Sequence, residues 1–193
     1  MAEYGLSIQG FCPITETTDE VSGVTTETLG EGMMTKRIMT VQGQTSRERV
    51  EQWAGDRLDT EVQGSHNGNV TLEYSRLTMA QRAALLGLSY KAGEPLVETL
   101  DTQPPPCRIG AVSGVLDGKK TLYGVTIYYH VQFDAPDDDF VSKQRQPQLK
   151  SKTMKGTAAD NCEGLYRAYN EFEDQAAALA YFKQELNIKT TGA

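Results

Sequence analysis

The sequence has little of what marks several large classes of protein. It contains no apolar run close to the roughly 20 residues that a membrane-spanning helix needs, which argues against a membrane protein. Lysine and arginine number 19 against 26 aspartate and glutamate, so the formal net charge is −7. Because affinity for nucleic acid comes mainly from clustered cations, this balance argues against a protein that grips DNA or RNA.

Cysteine is also scarce. The three cysteines, Cys12, Cys107 and Cys162, are odd in number and too widely spaced for a zinc knuckle or a redox pair. They predict reduced thiols in a protein made in the cytoplasm. The N-terminus carries no basic segment followed by an apolar one, so no export is expected.

No catalytic constellation can be assembled from the sequence. The two histidines, His66 and His130, lie in no metal-ligand spacing, and a surface or packing role is favoured over acid–base catalysis for both. Gly64-Ser65-His66 lacks the pattern of a nucleophile elbow. The acidic run 137–139 lacks the spaced ligands and closing glutamate of a calcium loop, which favours a solvated turn over a cation site. We therefore expect neither enzymatic activity nor a metal or cofactor.

What the sequence does contain is the material of a β-sheet: 18 glycines, many threonines and several alternating segments. The strongest alternation lies in 123–133, where apolar or aromatic residues occupy every second position and indicate a half-buried antiparallel strand. With the segment 107–116 and a turn at Asp117-Gly118, it predicts a hairpin. Further predicted strands span 33–41, 70–76 and 143–156.

Two helices are predicted from their end signals and spacing. Thr78 followed three residues later by Gln81 forms a capping-box pattern, and Gly87 supplies the usual C-terminal stop. A second helix is predicted over about 171–187, where apolar residues recur at helical spacing. These residues are Leu179, Phe182 and Leu186.

The first thirty residues predict an arm rather than part of a core. They are rich in threonine and acidic residues and hold few large apolar side chains, so they cannot form a core alone. A small apolar patch near the start, partly in alternate spacing, is typical of an arm that adds an edge strand to a neighbour. The interface candidates of this arm are Tyr4, Leu6, Ile8 and Phe11.

A charged excursion at residues 44–65 is a second candidate contact region. Asn67-Gly68, just after it, predicts a two-residue hairpin turn, because both residues tolerate positive φ. Polar loops of this length are uncommon unless they are disordered or functional. Its interface candidates are Val50, Leu58 and Trp53, the only tryptophan of the chain.

Residues 143–155 hold five cations and no anion. The segment is either a sheet edge protected by lysines or a contact surface, for which an acidic protein is favoured over nucleic acid. Its interface candidates are Lys150, Lys152 and Lys155. An apolar-tipped arm, a long loop and uneven charge are features of a subunit that assembles with its own copies, since head-to-tail contacts generate rings or filaments.

Four segments follow one another in an order, and with a residue composition, found in a known family. They are Ala2-Glu3-Tyr4-Gly5-Leu6 with a threonine-rich arm containing Pro13; Asn67-Gly68-Asn69-Val70-Thr71-Leu72-Glu73-Tyr74; the helix from Thr78 ending in Leu85-Leu86-Gly87; and the hairpin at Asp117-Gly118-Lys119-Lys120 with the aromatic strand 122–133. In these segments, over roughly residues 2–157, the chain resembles the major tail proteins, or tail tube proteins, of bacteriophages with long non-contractile tails.

The resemblance implies a β-sandwich or β-barrel subunit with one flanking helix. The expected fold class is thus mainly β: an antiparallel β-sandwich or barrel with a short flanking helix, an extended N-terminal arm and a C-terminal helix. Its expected parts are the arm 1–30, the tube domain 31–157 with the loop 44–65, and a C-terminal helical extension 158–193.

The resemblance also implies a function. Subunits of such proteins form hexameric rings that stack into a tube around a tape measure protein, with terminator and tip proteins as further partners, and the tube later conducts DNA into the host. We expect a structural virion protein of the tail, assembled in the bacterial cytoplasm, with no cofactor and no membrane binding. The arm would bind adjacent subunits, the loop 44–65 would reach a neighbouring ring, and strands 70–76 and 123–133 would form the wall. A negative net charge fits a bore through which DNA passes without specific binding.

Two alternatives stay open. The inner-tube protein of a contractile tail or of a type VI secretion system shares the implied architecture, and a neighbouring sheath gene would favour it. A β-sandwich module that binds a carbohydrate or another ligand would also explain the strands and Tyr128. The sequence lacks the exposed aromatic cluster that such a module usually carries.

Overall fold

The computed structural model describes residues 2–35, 37–54, 57–118, 120–136 and 151–189. These residues form nine β-strands and two helices. The strands are β1 (Ala2–Thr18), β2 (Thr25–Leu29), β3 (Met33–Thr35), β4 (Ile38–Ala54), β5 (Arg57–Tyr74), β6 (Pro106–Asp117), β7 (Lys120–Phe133), β8 (Lys152–Ala159) and β9 (Arg167–Phe172); α1 (Met79–Leu86) follows β5 and α2 (Gln175–Glu185) follows β9. Every strand pair is antiparallel, so the predicted mainly β fold of sandwich or barrel type is confirmed.

β7 lies at the centre of the sheet because both of its edges are paired. One edge pairs with β6 along nearly its whole length. The other edge is shared: residues 123–128 pair with β9, and residues 130–133 pair with β8. From β8 the sheet continues to β5 and β4, and from β6 it continues to β1, which pairs with β2 and β3. The sheet therefore changes partner in the middle of one strand.

The larger core lies between the two halves of this sheet. Its side chains come from β1, β6 and β7 on one side and from β4, β5 and β8 on the other, and Leu85 and Leu86 of α1 close it. In β5 the predicted alternation is confirmed, because Val70, Leu72 and Tyr74 are all buried. Each buried side chain of this size contributes about 1.5–3 kcal/mol by leaving water.

A smaller core lies on the outer face of β1, β6 and β7, under α2. Phe182 of the helix and Leu186, its C-cap, are fully buried there, with Val125 and Ile127 of β7. A Cβ at Gly110 would come within 2.9 Å of the Phe182 ring, so the glycine lets the helix approach the sheet. The predicted C-terminal helix is confirmed, but β9 and α2 belong to the domain and do not form the separate extension 158–193.

The apolar face predicted for 123–133 is interrupted by an irregularity in β7. The register against β6 shifts between Tyr128 and Val131. Before the shift, Val125 and Ile127 pack under α2; after it, Val131 lies in the larger core together with Tyr128. The prediction of a single apolar face is therefore wrong, because a bulge reverses which side of the sheet the following side chains occupy.

Helix α1 confirms its predicted end signals. The Thr78 hydroxyl accepts a hydrogen bond from the backbone N–H of Gln81 at 3.2 Å, and the Gln81 side chain accepts one from the Thr78 N–H at 3.0 Å. Gly87 ends the helix with φ 69°, in the left-handed region that favours glycine. The helix is thereby fixed at both ends over the mouth of the larger core.

The N-terminal segment is extended, as predicted, but it is part of the chain's own sheet. β1 pairs with β6 from Ala2 opposite Leu116 to Pro13 opposite Cys107, and its second half pairs with β2. The prediction that residues 1–30 form a separate arm is therefore corrected. The partner strand lies far along the same chain, so nearby residues gave no sign of it.

Residues 44–65 also differ from the prediction, because they form strands and not a loop. β4 and β5 pair from Ile38 opposite Tyr74 to Ala54 opposite Arg57. Asn67 and Gly68 lie inside β5, so the hairpin turn predicted there is wrong. The strand signal was weak because the described residues of this stretch are mostly exposed, and a strand that buries neither face shows no apolar alternation.

The β6–β7 hairpin is confirmed, with Gly118 at φ 63° between Asp117 and Lys120, which pair with each other. Of the strand predicted at 143–156, the part from Lys152 onward is β8, and residues 143–150 lie outside the described residues.

In the described parts of the chain, neither helix has the length and apolar character needed to span a membrane.

Candidate assembly interface

The most prominent surface feature is a two-stranded ribbon formed by the ends of β4 and β5. β5 stops pairing with β8 at Asn67, which faces Ala159, and from there to its start at Arg57 it pairs with β4 alone among the described strands. From Ser46 to Ala54 the ribbon extends about 30 Å, at about 3.4 Å per residue. Isolated two-stranded ribbons are only marginally stable in water, so this ribbon gains little support from the rest of its own sheet.

The ribbon contains the interface residues that were predicted for the loop 44–65, and it places them in paired positions of its two strands. Val50 is paired with Val62, and Trp53 is paired with Leu58 next to the tip. The register shifts twice along the ribbon, between Arg47 and Arg49 and again between Gln52 and Trp53. Such bulges increase the twist of a strand pair. The three candidates Val50, Trp53 and Leu58 thus belong to one continuous element.

A polar and aromatic cluster anchors the base of the ribbon. Asp160 accepts two hydrogen bonds from His66 when Nδ1 carries the proton, one from the backbone N–H and one from Nδ1, each at 2.9 Å. The imidazole stacks on Tyr166 with 5.2 Å between ring centroids, and Thr45 donates to the Tyr166 hydroxyl at 3.3 Å. These contacts join β4 and β5 to the segment after β8 and set the direction in which the ribbon leaves the domain.

Two glycines allow this close packing. A Cβ at Gly43 of β4 would overlap the hydroxyl of Tyr128, and a Cβ at Gly68 of β5 would overlap the hydroxyl of Tyr166 and the carbonyl of Gln44. Tyr128 and Tyr166 in turn meet edge to face at 5.9 Å. The base of the ribbon therefore depends on small residues facing large aromatic ones.

The outer edge of β4 is a second feature of this surface. Within the described chain β4 is hydrogen-bonded to β5 along one edge only. Natural edge strands are protected by charged side chains, proline or bulges; the outer part of β4 has the charged residues 47–49 and two register shifts, whereas residues 41–46 have none of these features. The edge can therefore accept a further strand, as in β-strand addition between proteins.

The candidates of the predicted arm lie elsewhere. Tyr4 and Leu6 are in β1, paired with Gly114 and Ser113 of β6. Ile8 is half-buried and packs against the core under α2. Phe11 is 0 % exposed in the larger core, so the prediction that it contacts a neighbour is corrected. The structure thus separates the arm candidates from those of the ribbon.

The cationic candidates are placed in part. Lys150 lies outside the described residues. Lys152 is half-buried and Lys155 is exposed on β8, opposite Tyr74 and Thr71 of β5. Lys155 borders a polar cleft with Asp134, so at least one acidic side chain of the same subunit lies close to it.

A cleft between β4, β6, β7 and β9 has a volume of about 330 Å³. Its lining includes Val41, Tyr128, Tyr169 and Arg167, whose guanidinium lies 5.8 Å from the centre of the Tyr128 ring. Tyr169 donates a hydrogen bond to Glu171 at 2.8 Å. The cleft offers aromatic surface and one cation but no paired acid and base.

Burial changes the ionisation of several side chains. It raises the pKa of the Cys12 thiol to about 11 and that of the Cys107 thiol to about 12, because both thiolates would lose hydration. It also raises the pKa of Tyr129 and that of Tyr181, which belongs to α2. At the exposed turn before β2, hydrogen bonds from the Val21 N–H and Ser22 lower the pKa of Asp19. None of these groups lies on the ribbon.

The anchoring cluster could not be found from the sequence. His66 and Asp160 are separated by 94 positions, and no local motif links them. The sequence favours a surface or packing role for His66. In the structure its ring packs against Tyr166, and the turn predicted beside it is replaced by a continuous strand.

No protein-family model matches the chain, and a comparison with curated proteins also finds no match. Function is therefore argued from the geometry of the described residues.

Proposed function

We propose that the chain is a structural subunit that assembles with its own copies into a tube, as the tail tube protein of a bacteriophage with a long non-contractile tail. The observation that carries the proposal is the ribbon of β4 and β5. About 30 Å of two-stranded sheet extends from a well-packed domain, and the core residues found among the described side chains lie outside it. A neighbouring subunit that covers the ribbon would stabilise both partners.

The rest of the domain supports the proposal that the ribbon makes the contacts between subunits. The curled sheet and its two helices bury both cores within one chain, so the subunit does not need a partner in order to fold. Contacts between subunits then fall to the ribbon and the open edge of β4. In the proposed tube the domains form hexameric rings and the ribbon reaches the adjacent ring, as the resemblance implied for residues 44–65.

The charge of the chain also supports a conduit. With a net charge of −7, the subunit repels the DNA phosphates that would pass through the bore. A tape measure protein inside the tube, and terminator and tip proteins at its ends, belong to the same proposal, as does the location in the virion tail.

The experiment removes the ribbon and leaves the domain intact. Arg47 and His66 are register partners, so replacing residues 48–65 by Asn-Gly joins them through a two-residue hairpin turn. We expect the complete protein to form rings or tubes in negative-stain electron microscopy and fast species in sedimentation velocity. The shortened variant should keep a cooperative thermal unfolding transition and remain a monomer.

A point substitution tests the tip of the ribbon. Trp53→Ala removes the largest apolar side chain of the ribbon and should weaken the stacking of rings while the subunit stays folded. Thr60→Ala, a small change in the same ribbon, is the matched control and should assemble like the wild type. A wild-type protein that remains a monomer at every concentration and salt, with and without tape measure protein, would refute the proposed function.

The cleft beside Tyr128 supports a second candidate function, the binding of a small ligand. A β-sandwich module that binds a small ligand would use this volume of about 330 Å³, with Arg167 and Tyr169 as contacts. A glycan array separates the two functions, because saturable binding lost in Arg167→Ala and unchanged in the shortened variant supports the module. The inner tube of a contractile tail or of a type VI system is distinguished by a sheath that decorates the tube.

A further inference from the structure

A cluster of three ionisable side chains lies away from the ribbon, where the hairpin of β1 and β2 meets β7. Glu16 of β1 and Glu27 of β2 are directly opposite each other in the register. His130 of β7 directs its Nδ1 towards both carboxylates, at 3.5 Å from Glu16 and 3.6 Å from Glu27. One donor atom from each of the three side chains lies within 4.8 Å of the other two.

These side chains do not satisfy one another. Nδ1 of His130 is buried and has no hydrogen-bond partner, since both carboxylate oxygens are too distant and poorly aligned for a normal hydrogen bond. Like charges directly opposite each other on two strands are destabilising. Within the described ranges neither glutamate pairs with a lysine or an arginine. The cluster therefore places two carboxylates beside a ring nitrogen without a hydrogen-bond partner, an arrangement that a bound cation would satisfy.

The cluster has limited access to solvent. The Glu27 side chain is 7 % exposed, and that of His130 is 20 % exposed. Among the described residues, the backbone N–H of Cys162 donates a hydrogen bond to the Glu27 carboxylate at 3.2 Å. A cation bound beside a carboxylate with so little exposure would compensate its charge.

The two distances from Nδ1 are close to the ligand separations of a zinc site, and the donor oxygens of the two carboxylates lie within 4.8 Å of each other. Zinc bonds to histidine nitrogen and carboxylate oxygen are about 2.0–2.1 Å long, so two ligands of a tetrahedral site lie about 3.3–3.4 Å apart. The observed separations from Nδ1 exceed that value by only a few tenths of an ångström. Magnesium and calcium prefer oxygen ligands alone, whereas imidazole suits zinc.

We propose that Glu16, Glu27 and His130 bind a zinc ion. A water molecule on the side of Glu16, whose side chain is 41 % exposed, completes the coordination and marks the path of entry. The backbone N–H of Cys162 orients the Glu27 carboxylate from outside the coordination shell. The ion joins the β1–β2 hairpin to β7 and so stabilises the fold.

The sequence predicted no metal ligand here, because the three residues come from three strands and follow no metal-binding motif. The proposal is independent of the proposed function. A tube subunit and a ligand-binding module could both carry such an ion.

The test measures zinc binding by the purified full chain, without an affinity tag that binds metal. After treatment with a chelator and dialysis, zinc or magnesium chloride is added, and bound metal is counted by inductively coupled plasma mass spectrometry. We expect one zinc ion per chain and no retained magnesium. At a zinc concentration about 100 times the Kd, the Tm should rise by roughly 5–10 °C.

Paired variants assign the ligands. Glu16→Gln and His130→Gln should lose the stoichiometric zinc and most of the rise in Tm. Glu20→Gln changes an exposed acid in the same hairpin, and His66→Gln changes the other histidine, so both controls should bind zinc like the wild type. If His130→Gln does not fold, Glu16→Gln carries the test, because that side chain is partly exposed.

Two results would overturn the proposal. One is a wild-type chain that retains no zinc and shows no change in Tm. The other is zinc binding that persists in Glu16→Gln and disappears in Cys162→Ser or His66→Gln, which would place the ion at an exposed thiol or at the base of the ribbon.

Discussion

Two of the three thiols in this chain are enclosed by the cores, and the third is in solvent. Cys12 lies in the core under α2 and Cys107 lies in the larger core, whereas Cys162 is exposed. Reaction with an electrophile requires the thiolate and access to it. The two buried thiols lack both, since their pKa values are raised to about 11 and about 12.

We therefore expect one fast-reacting thiol in the native protein. At pH 8 Ellman's reagent should modify Cys162 within minutes and reach all three cysteines only after unfolding in guanidinium. Cys162→Ser should abolish the fast phase. Rapid modification of two or three thiols in the folded wild type would contradict the burial of Cys12 and Cys107.

The same two thiols predict how stability depends on pH. In the unfolded chain they ionise near their ordinary value of 9.0, but in the folded chain they stay neutral until about 11 and about 12. Their contribution to the free energy of unfolding is complete below pH 9 and is lost as the pH rises towards those values. Urea unfolding at pH 8 and at pH 10.5 should show this loss, and Cys12→Ala should reduce the difference between the two values.

Gly43 offers a test of the packing at the base of the ribbon. Gly43→Ala places a methyl group against the Tyr128 hydroxyl and should lower the free energy of unfolding by about 1–3 kcal/mol. In the double variant Gly43→Ala/Tyr128→Phe the overlapping hydroxyl is removed, so part of the loss should return. Equal stability of wild type and Gly43→Ala in urea titrations would show that the two residues are not in contact.

Among the elements, α1 is the one whose ends are best defined. Thr78→Ala removes the hydroxyl that accepts from Gln81 and should lower the free energy of unfolding by about 1 kcal/mol. For a domain of this size that corresponds to a fall in Tm of about 2–4 °C. Thr78→Ser keeps the hydroxyl and should stay close to the wild type in a thermal melt. A loss as large in Thr78→Ser would point to the methyl group and not to the cap.

The elements that the sequence predicts well are those whose signals are local. The Thr78 cap, the Gly87 stop and the hairpin around Gly118 each depend on residues within a few positions of one another, and all three are found. The alternation of Val70 to Tyr74 is equally local and is also found.

The elements that the sequence misses are those defined by distant partners. β1 looked like an arm because its partner β6 lies beyond five intervening elements. The ribbon looked like a loop because its described side chains, such as Arg49 and Glu51, are exposed and give no apolar period. The Asp160 anchor and the Glu16–Glu27–His130 cluster depend on the same long-range pairing, so no spacing rule could reveal them.

At the scale of the whole molecule, charge makes the clearest prediction. A conduit for DNA should not retain it, and a chain with a net charge of −7 lacks the cation excess that binding requires. We expect fluorescence anisotropy with a labelled duplex in 100 mM salt to give a Kd weaker than about 100 µM. A basic DNA-binding protein serves as the positive control. Binding below about 1 µM that falls steeply with added salt would contradict the acidic surface.

The pairing of β1 with β6 has a consequence for the synthesis of the chain on the ribosome. The first strand of the chain finds its partner only after residues 107–116 have left the ribosome. At about 5–20 residues per second, synthesis keeps it waiting for several seconds. During that delay the sheet lacks the pairing of β1 with β6, so a nascent chain cannot yet assemble with folded copies of itself. Translation itself thus sets the earliest moment of oligomerisation, and a chaperone that shields the waiting segment would have a defined interval in which to act.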